Sequence, residues 1–402
     1  MGIARRPWRL AGLAGCAAVL LGLVAAGSPA AHAVTIPVFN PNAAASWGVN
    51  ADGELGTGST TARTLFGQVN GLTSGVLQVS AGGGYSLAIT TGGTVWAWGA
   101  NNVGELGDGT TTARSAPVQV PGLSGVRQVA AGFRHSLALK SDGTVWAWGA
   151  NNFGQVGDGV FSSTQLTPVQ VTGLTGVTKI AAGFDFSLAL RSDGSVWAWG
   201  TGGIGEFGNG NLTNSALPEE VFISQVTSIA AGDDAGYAIR TTTAGATLWA
   251  WGGNLSGDLG DGTQTERVTP VQVTGVTDVA QVAAGNQFTV ALTTNGSVWA
   301  WGDDEFGQLG NTPTHALIDH PVETVAGGSG ITQLSAGLDH VLALTSGGGA
   351  LAWGDNLDGE LGDGNNASVV GPVHVTGLSG VSQVAAGDEF SLAVYKQPQI
   401  AP

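Results

Sequence analysis

Catalysis or metal binding by this 402-residue chain would have to rest on its six histidines, 29 acidic residues and single cysteine, Cys16. A hydrolase needs a nucleophile, a base and an orienting acid that meet in space. No His-Glu-x-x-His, Gly-x-Ser-x-Gly or phosphate-loop motif occurs. Gly203-Ile-Gly205-Glu-Phe-Gly208 satisfies the Gly-x-Gly-x-x-Gly pattern, but no βαβ unit follows it, so it reads as a tight turn with one extra glycine. Asp355-Asn-Leu-Asp358-Gly359-Glu360 has the outline of a calcium loop. Leu357, however, occupies the third ligand position, where calcium needs an oxygen. Asp108-Gly109, Asp158-Gly159, Asp261-Gly262 and Asp363-Gly364 read as turns braced by their carboxylates. No catalytic residue, metal ligand or cofactor site is assigned.

Those same turns reveal how the chain is organised. Trp-Gly occurs at Trp47, Trp98, Trp148, Trp199, Trp251, Trp301 and Trp353, in steps of 50 to 52 residues. Glycines stand one, six and nine residues after the tryptophan in all seven copies. A backbone that takes positive φ at fixed points needs glycine there. Between the turns lie short strand-like runs, such as Val126 to Ala131, Ser136 to Leu139 and Thr144 to Trp148, the last two joined through Ser141-Asp142-Gly143. Pro117 to Val120 reads as a fourth strand that starts on its proline. Four short antiparallel strands per repeat make a propeller blade.

A second half-motif, Ala-Gly followed by a variable pair and a strand, recurs at Gly82, Gly132, Gly183, Gly232, Gly285, Gly337 and Gly387. Trp47 has no such strand before it, and the strand Ser391 to Tyr395 has no Trp-Gly after it. Each end holds the half-blade that the other lacks. The expected fold is therefore all-β, a seven-bladed β-propeller of four-stranded antiparallel blades over 46–396, in which 46–75 and 381–396 share one blade. Trp96/Trp98 and the equivalent pairs lie two apart on one strand and share a sheet face. They supply most of the expected core between blades.

Ala-Gly-x-x-[His/aromatic]-Ser-Leu-Ala-Leu followed by Asp-Gly-x-Val-Trp-x-Trp-Gly-x-Asn-x-x-Gly-[Glu/Gln]-Leu-Gly resembles the regulator of chromosome condensation repeat family. The resemblance covers essentially all of 46–396 and implies a seven-bladed propeller whose terminal strands share a blade. The founding member is a nuclear exchange factor for a small GTPase that also binds chromatin. This chain departs from it in its acidity, in repeat spacing too even to hold an inserted wedge, and in the histidine three residues after Ala-Gly. That histidine survives as His135 and His340, while Tyr85, Phe186, Ala235, Phe288 and Phe390 stand elsewhere. Nucleotide exchange is not carried over. A secreted actinobacterial propeller that inhibits β-lactamases resembles the same family with shorter blades, which adds enzyme inhibition as an alternative function.

Function is sought where the repeat does not dictate the residue. The variable pairs are Gly83-Gly84, Phe133-Arg134, Phe184-Asp185, Asp233-Asp234, Asn286-Gln287, Leu338-Asp339 and Asp388-Glu389. In a closed propeller they form a ring on one face, mixing acids with apolar groups as a protein-binding surface would. Tyr85, His135, Phe186, Phe288, His340 and Phe390 are expected to line the channel, where aromatics suit sugar binding and carboxylates paired across it would suit an enzyme acting on polysaccharide, both as further alternatives. Phe153, Ile204, Leu255, Phe306 and Leu357 vary in the Trp-Gly turns and serve either binding or packing.

The N-terminus reads as an export signal over 1–33: Arg5, Arg6 and Arg9, an apolar stretch from Leu10 to Ala26, and Ala31-His32-Ala33 as the cleavage site. Leu13-Ala14-Gly15-Cys16 resembles a lipobox, but most of the apolar stretch follows the cysteine, so free secretion is favoured over a lipid anchor. Segments 34–45 and 397–402 read as a leader and a tail. Removing the signal leaves ten basic against 29 acidic residues, a net charge of −19. That charge repels nucleic acid and anionic lipid and favours a protein partner with a basic surface. The expectation is a secreted, monomeric, non-catalytic binding protein.

Overall fold

The computed structural model describes residues 42–243, 245–311 and 317–397. The expected signal segment with Cys16, most of the expected leader, His315 and the last five residues lie outside the described residues. Twenty-eight strands form seven four-stranded antiparallel sheets. In chain order, blade 1 covers 76–119, blade 2 126–170, blade 3 177–220, blade 4 226–272, blade 5 279–325 and blade 6 331–374. Blade 7 is assembled from both ends, in the order Arg63–Gln68, Asn42–Gly48, Phe390–Lys396, Val381–Ala386. The two central strands pair over seven residues, Asn42 with Lys396 through Gly48 with Phe390. The strand Asn42–Gly48 reaches at least four residues ahead of the expected start, and Ala43, Ala44 and Ala45 are fully buried in it. Among the described residues no helix is long and apolar enough to cross a membrane.

Sequence dictates this closure through the turns. All 21 glycines at one, six and nine residues after the Trp-Gly tryptophans have positive φ. The turn they form delivers a backbone carbonyl, seven residues past the tryptophan, to the next blade. Trp98 Nε1 donates to Glu54 O at 2.7 Å and Trp148 Nε1 to Glu105 O at 2.7 Å. Trp47 Nε1 donates to Glu360 O at 2.8 Å across the seam between blades 6 and 7. The same bond is made in the other four blades. Each of the seven indoles is fully buried, so its single donor must find a partner inside.

Nearer the axis, glutamines clamp neighbouring blades. Gln78 Nε2 donates to Val129 O and Gln78 Oε1 accepts from Val129 N, both at 3.0 Å. Gln128, Gln281, Gln333 and Gln383 repeat the clamp, the last binding Val79 and closing the ring. In blades 3 and 4 Lys179 and Ser228 replace glutamine and bond to each other at 3.0 Å.

Pro117 corrects the expected strand start. The strand begins at Arg114, and Pro117 falls within it, where the ladder shifts register between Ala97 and Gly99. An outermost strand at a bulge tolerates a residue with no N–H.

At the axis, the seven Ala-Gly glycines stand shoulder to shoulder. A Cβ on Gly285 would lie 2.1 Å from Gly337 O and 2.3 Å from Phe288 Cε1. Gly285→Ala should therefore cost about 1–3 kcal/mol in urea unfolding through overpacking. Gly371→Ala, with nothing within 4 Å, should stay within about 0.5 kcal/mol of the parent. Equal effects would refute close packing at the axis.

Candidate binding face

The Ala-Gly corners and the Trp-Gly turns lie on one face, here called the loop face. Direct bonds join them: Ala150 N donates to Arg134 O at 2.8 Å, Gln155 Nε2 to Asp185 Oδ1 at 2.9 Å, and Ser256 Oγ to Gln287 Oε1 at 2.5 Å. The two variable sets therefore belong to one surface. At the mouth of the channel the corners enclose a cavity of about 170 Å³, lined also by Gly83, Phe133, Phe184, Asp233, Leu338 and Asp388. Backbone bonds tie the corners around the axis at six of the seven junctions, among them Gly83 N to Phe133 O at 3.2 Å and Phe184 N to Asp233 O at 3.0 Å. The second residues of the pairs, including Arg134, Asp185, Asp234, Gln287, Asp339 and Glu389, are partly or fully exposed.

The six aromatic and histidine positions do not line the channel. Tyr85, His135, Phe186, Phe288, His340 and Phe390 are fully buried, each ring lying directly behind the glycine of its own Ala-Gly corner. The strand that carries them turns its odd side chains toward the next blade, where they pack and bond. Tyr85 donates to His135 O, His135 Nε2 meets Ser187 Oγ at 2.9 Å, and His340 Nε2 meets Ser391 Oγ at 3.0 Å. Burial pushes His135 down to about 4 and His340 to about 3, so both are neutral at pH 7. Sugar binding by channel aromatics loses its basis with this correction.

Charge on the loop face is unevenly distributed. Burial, then repulsion from Asp234, pushes Asp233 up to about 6. Burial with the charges of Asp233, Glu389 and Asp339 raises Asp388 to about 7, and burial with Asp355, Asp303, Asp233 and Glu305 raises Asp339 to about 7. These acids from blades 4, 6 and 7 sense one another across the mouth. On the opposite side Phe133 and Phe184 stack at 3.9 Å with planes 13° apart, and the Arg134 guanidinium lies 5.0 Å from the Phe133 centroid. On the same two blades Phe153, Val160, Phe161, Leu212 and Leu217 are exposed. Val160, Phe161 and Leu212 stand at turn positions where blade 1 has Thr110 and Thr111 and blade 6 has Asn365 and Asn366. Of the variable turn residues, Phe153, Leu255 and Leu357 are exposed, while Ile204 and Phe306 are half-buried.

Sequence reasoning missed one local feature. Blade 4 replaces the aromatic and serine of the repeat with Ala235 and Gly236, and Tyr237 fills in, bonding Asp258 O at 2.9 Å and Thr289 Oγ1 at 2.8 Å. A pocket of about 50 Å³ opens there, lined by Asp233, Asp234, Asp258, Leu255 and Gln287. The break in the repeat at Ala235-Gly236 was its only advance signal.

A closed ring of seven four-stranded antiparallel blades defines a seven-bladed β-propeller. The chain belongs to the RCC1-like domain family, whose model matches residues 43–393. It is 33% identical over 337 residues to the ultraviolet-B receptor UVR8 of Arabidopsis thaliana, covering 81% of this chain and 76% of the receptor. It is 31% identical over 357 residues to the human E3 ubiquitin-protein ligase HERC2, covering 86% of this chain but only 6% of the ligase. Among solved structures, Prp20p of Saccharomyces cerevisiae superposes with a TM-score of 0.78 at 22% identity, covering 90% of this chain and 93% of Prp20p. That likeness concerns the fold.

Proposed function

We propose that the chain is an exported, non-catalytic binding protein that docks a protein partner of basic surface on its loop face. The observation that carries this reading is the division of that face. Val160, Phe161 and Leu212 on blades 2 and 3 are exposed where other repeats have polar residues, and the mouth acids Asp233, Asp339 and Asp388 make no ion pair among the described residues. Exposed apolar side chains on a face that also carries charge are a feature of protein-interaction sites. The uncompensated acids favour a cationic partner and disfavour nucleic acid. Binding of Gsp1p and histones is attributed to Prp20p, which supports protein docking as a use of this fold.

Affinity capture from the culture medium tests the reading. Asp234→Lys/Glu389→Lys alters two exposed acids and should lower capture at least tenfold while making what remains less sensitive to salt than the parent. Val160→Ser/Phe161→Ser should lower it comparably without changing the salt dependence. Capture unchanged by both variants would refute docking on this face.

A further inference from the structure

The opposite face, where the hairpins of the central strands turn, carries a second repeated feature. Trp146, Trp197 and Trp249, the outer members of their tryptophan pairs, are half-buried, and each has a cation from its own blade over its ring. Lys140 lies 5.5 Å from the Trp146 centroid, Arg191 5.8 Å from Trp197, and Arg240 5.3 Å from Trp249. Strand register identifies the equivalent positions. Val126 pairs with Lys140, Val177 with Arg191, Val226 with Arg240 and, in blade 5, Val279 with Thr293. Blade 5 keeps the tryptophan, Trp299, but has lost the cation.

It has not lost the rest of the site. In blade 4 the Arg240 guanidinium also donates from Nη2 to Gln225 Oε1 at 3.0 Å. Gln225 stands immediately before Val226 with φ 60°, a left-handed position that five other blades fill with glycine. Blade 5 places Asp278 there, at φ 55°. A non-glycine residue in this region is held against its backbone preference, a departure that collects at functional sites. Glu323 is paired directly across from Trp299. Thr293 is too short to reach out, and its hydroxyl is turned to Asn295 Oδ1 at 2.6 Å. Trp299, Asp278, Glu323, Asn295 and Ser297 line a cavity of about 240 Å³.

Blade 4 shows what this frame holds when it is complete: a guanidinium against the indole, hydrogen-bonded to the left-handed residue. We propose that the Trp299 groove of blade 5 takes an arginine side chain from a protein partner, with the guanidinium over Trp299 and bonded to Asp278. The carboxylate at Asp278 would pair a full negative charge with the guanidinium, where blade 4 offers only the neutral amide of Gln225. The site lies on the face opposite the proposed docking surface and is independent of it.

Titration of the full chain, labelled at the indole nitrogens, with N-acetyl-arginine amide tests the proposal. The indole signal that disappears in Trp299→Phe should shift saturably. The neutral isostere N-acetyl-citrulline amide should bind at least tenfold more weakly. Asp278→Gly restores the repeat's glycine, so it should raise the melting temperature while weakening arginine binding at least tenfold. Thr293→Arg should fill the groove from within and abolish the response. An equal response to citrulline, an unresponsive Trp299 signal, or undiminished binding by Asp278→Gly would each overturn the proposal.

Discussion

Trp148→Ala should lower the free energy of unfolding by about 3–5 kcal/mol, the range of large-to-small aromatic truncations in cores. Its indole is fully exposed to blade 1 and not at all to solvent. It packs on Gly107, whose missing Cβ would lie 2.8 Å from the ring, so that this neighbour has no side chain to fill the void. At about 25 cal/mol per Å² a buried aromatic is worth several kcal/mol before ordering costs. The bond from Nε1 to Glu105 O contributes less. That carbonyl keeps a second donor, Ser136 Oγ at 2.8 Å, and is not orphaned by the substitution. Trp146→Ala, two residues away on the same sheet face, removes a half-buried ring covered by Lys140 and should cost under about 2 kcal/mol. Urea unfolding of the two variants separates them. Equal losses would mean that the blades are not held together by the inner tryptophan layer.

That contrast also marks how far the sequence was readable. The Trp-Gly and Ala-Gly registers exposed the seven blades and the shared seventh, because glycine at positive φ and tryptophan at a fixed offset leave little freedom in where the turns fall. Strand ends were less legible. Asn42 to Ala45 carry no motif, and only their burial against Phe390 to Lys396 makes them a strand. The loop face was legible as a ring but not as one surface, since the bonds from Gln155 to Asp185 and from Ser256 to Gln287 join residues some thirty positions apart. Tyr85 and His135 illustrate the opposite failure. A repeated aromatic after a channel-facing glycine invites the reading that it faces the channel, whereas alternation along the strand sends it between blades. The glutamine clamps depend on contacts about fifty residues apart, and the absence of a cation at Thr293 becomes visible only when blades are superposed on one another.

Stability is expected to rise as the pH is lowered from 8 toward 5, the reverse of ordinary acid sensitivity. Asp233 at about 6, Asp339 at about 7 and Asp388 at about 7 are held up by burial and then by one another, and burial raises Asp258 to about 6 and Glu360 to about 7. In the unfolded chain such groups titrate near 3.9 for aspartate and about 4.3 for glutamate. Between those values and about 7 the native state binds more protons than the unfolded one, so the free energy of unfolding falls as pH rises through this window. The acids at the mouth titrate as a set, not singly. His135 and His340 oppose them. Their native values of about 4 and 3 mean that the unfolded chain takes up protons first below about 6.5, and that stability is lost as they charge. Asp108 adds to the loss at the acid end, because hydrogen bonds from Thr110 and Arg114 outweigh burial and depress it. Five raised acids outnumber two histidines, so the melting temperature should climb by several degrees from pH 8 to pH 5 and fall steeply below about 4. Asp339→Asn/Asp388→Asn should raise it at pH 8 and flatten the slope above pH 5. A melting temperature that declines steadily from pH 8 to pH 6 would show that these carboxylates are not coupled as described. Partner capture should respond in the opposite sense, weakening toward pH 5 as the mouth loses its negative charge, so binding and stability move apart over the same protonations.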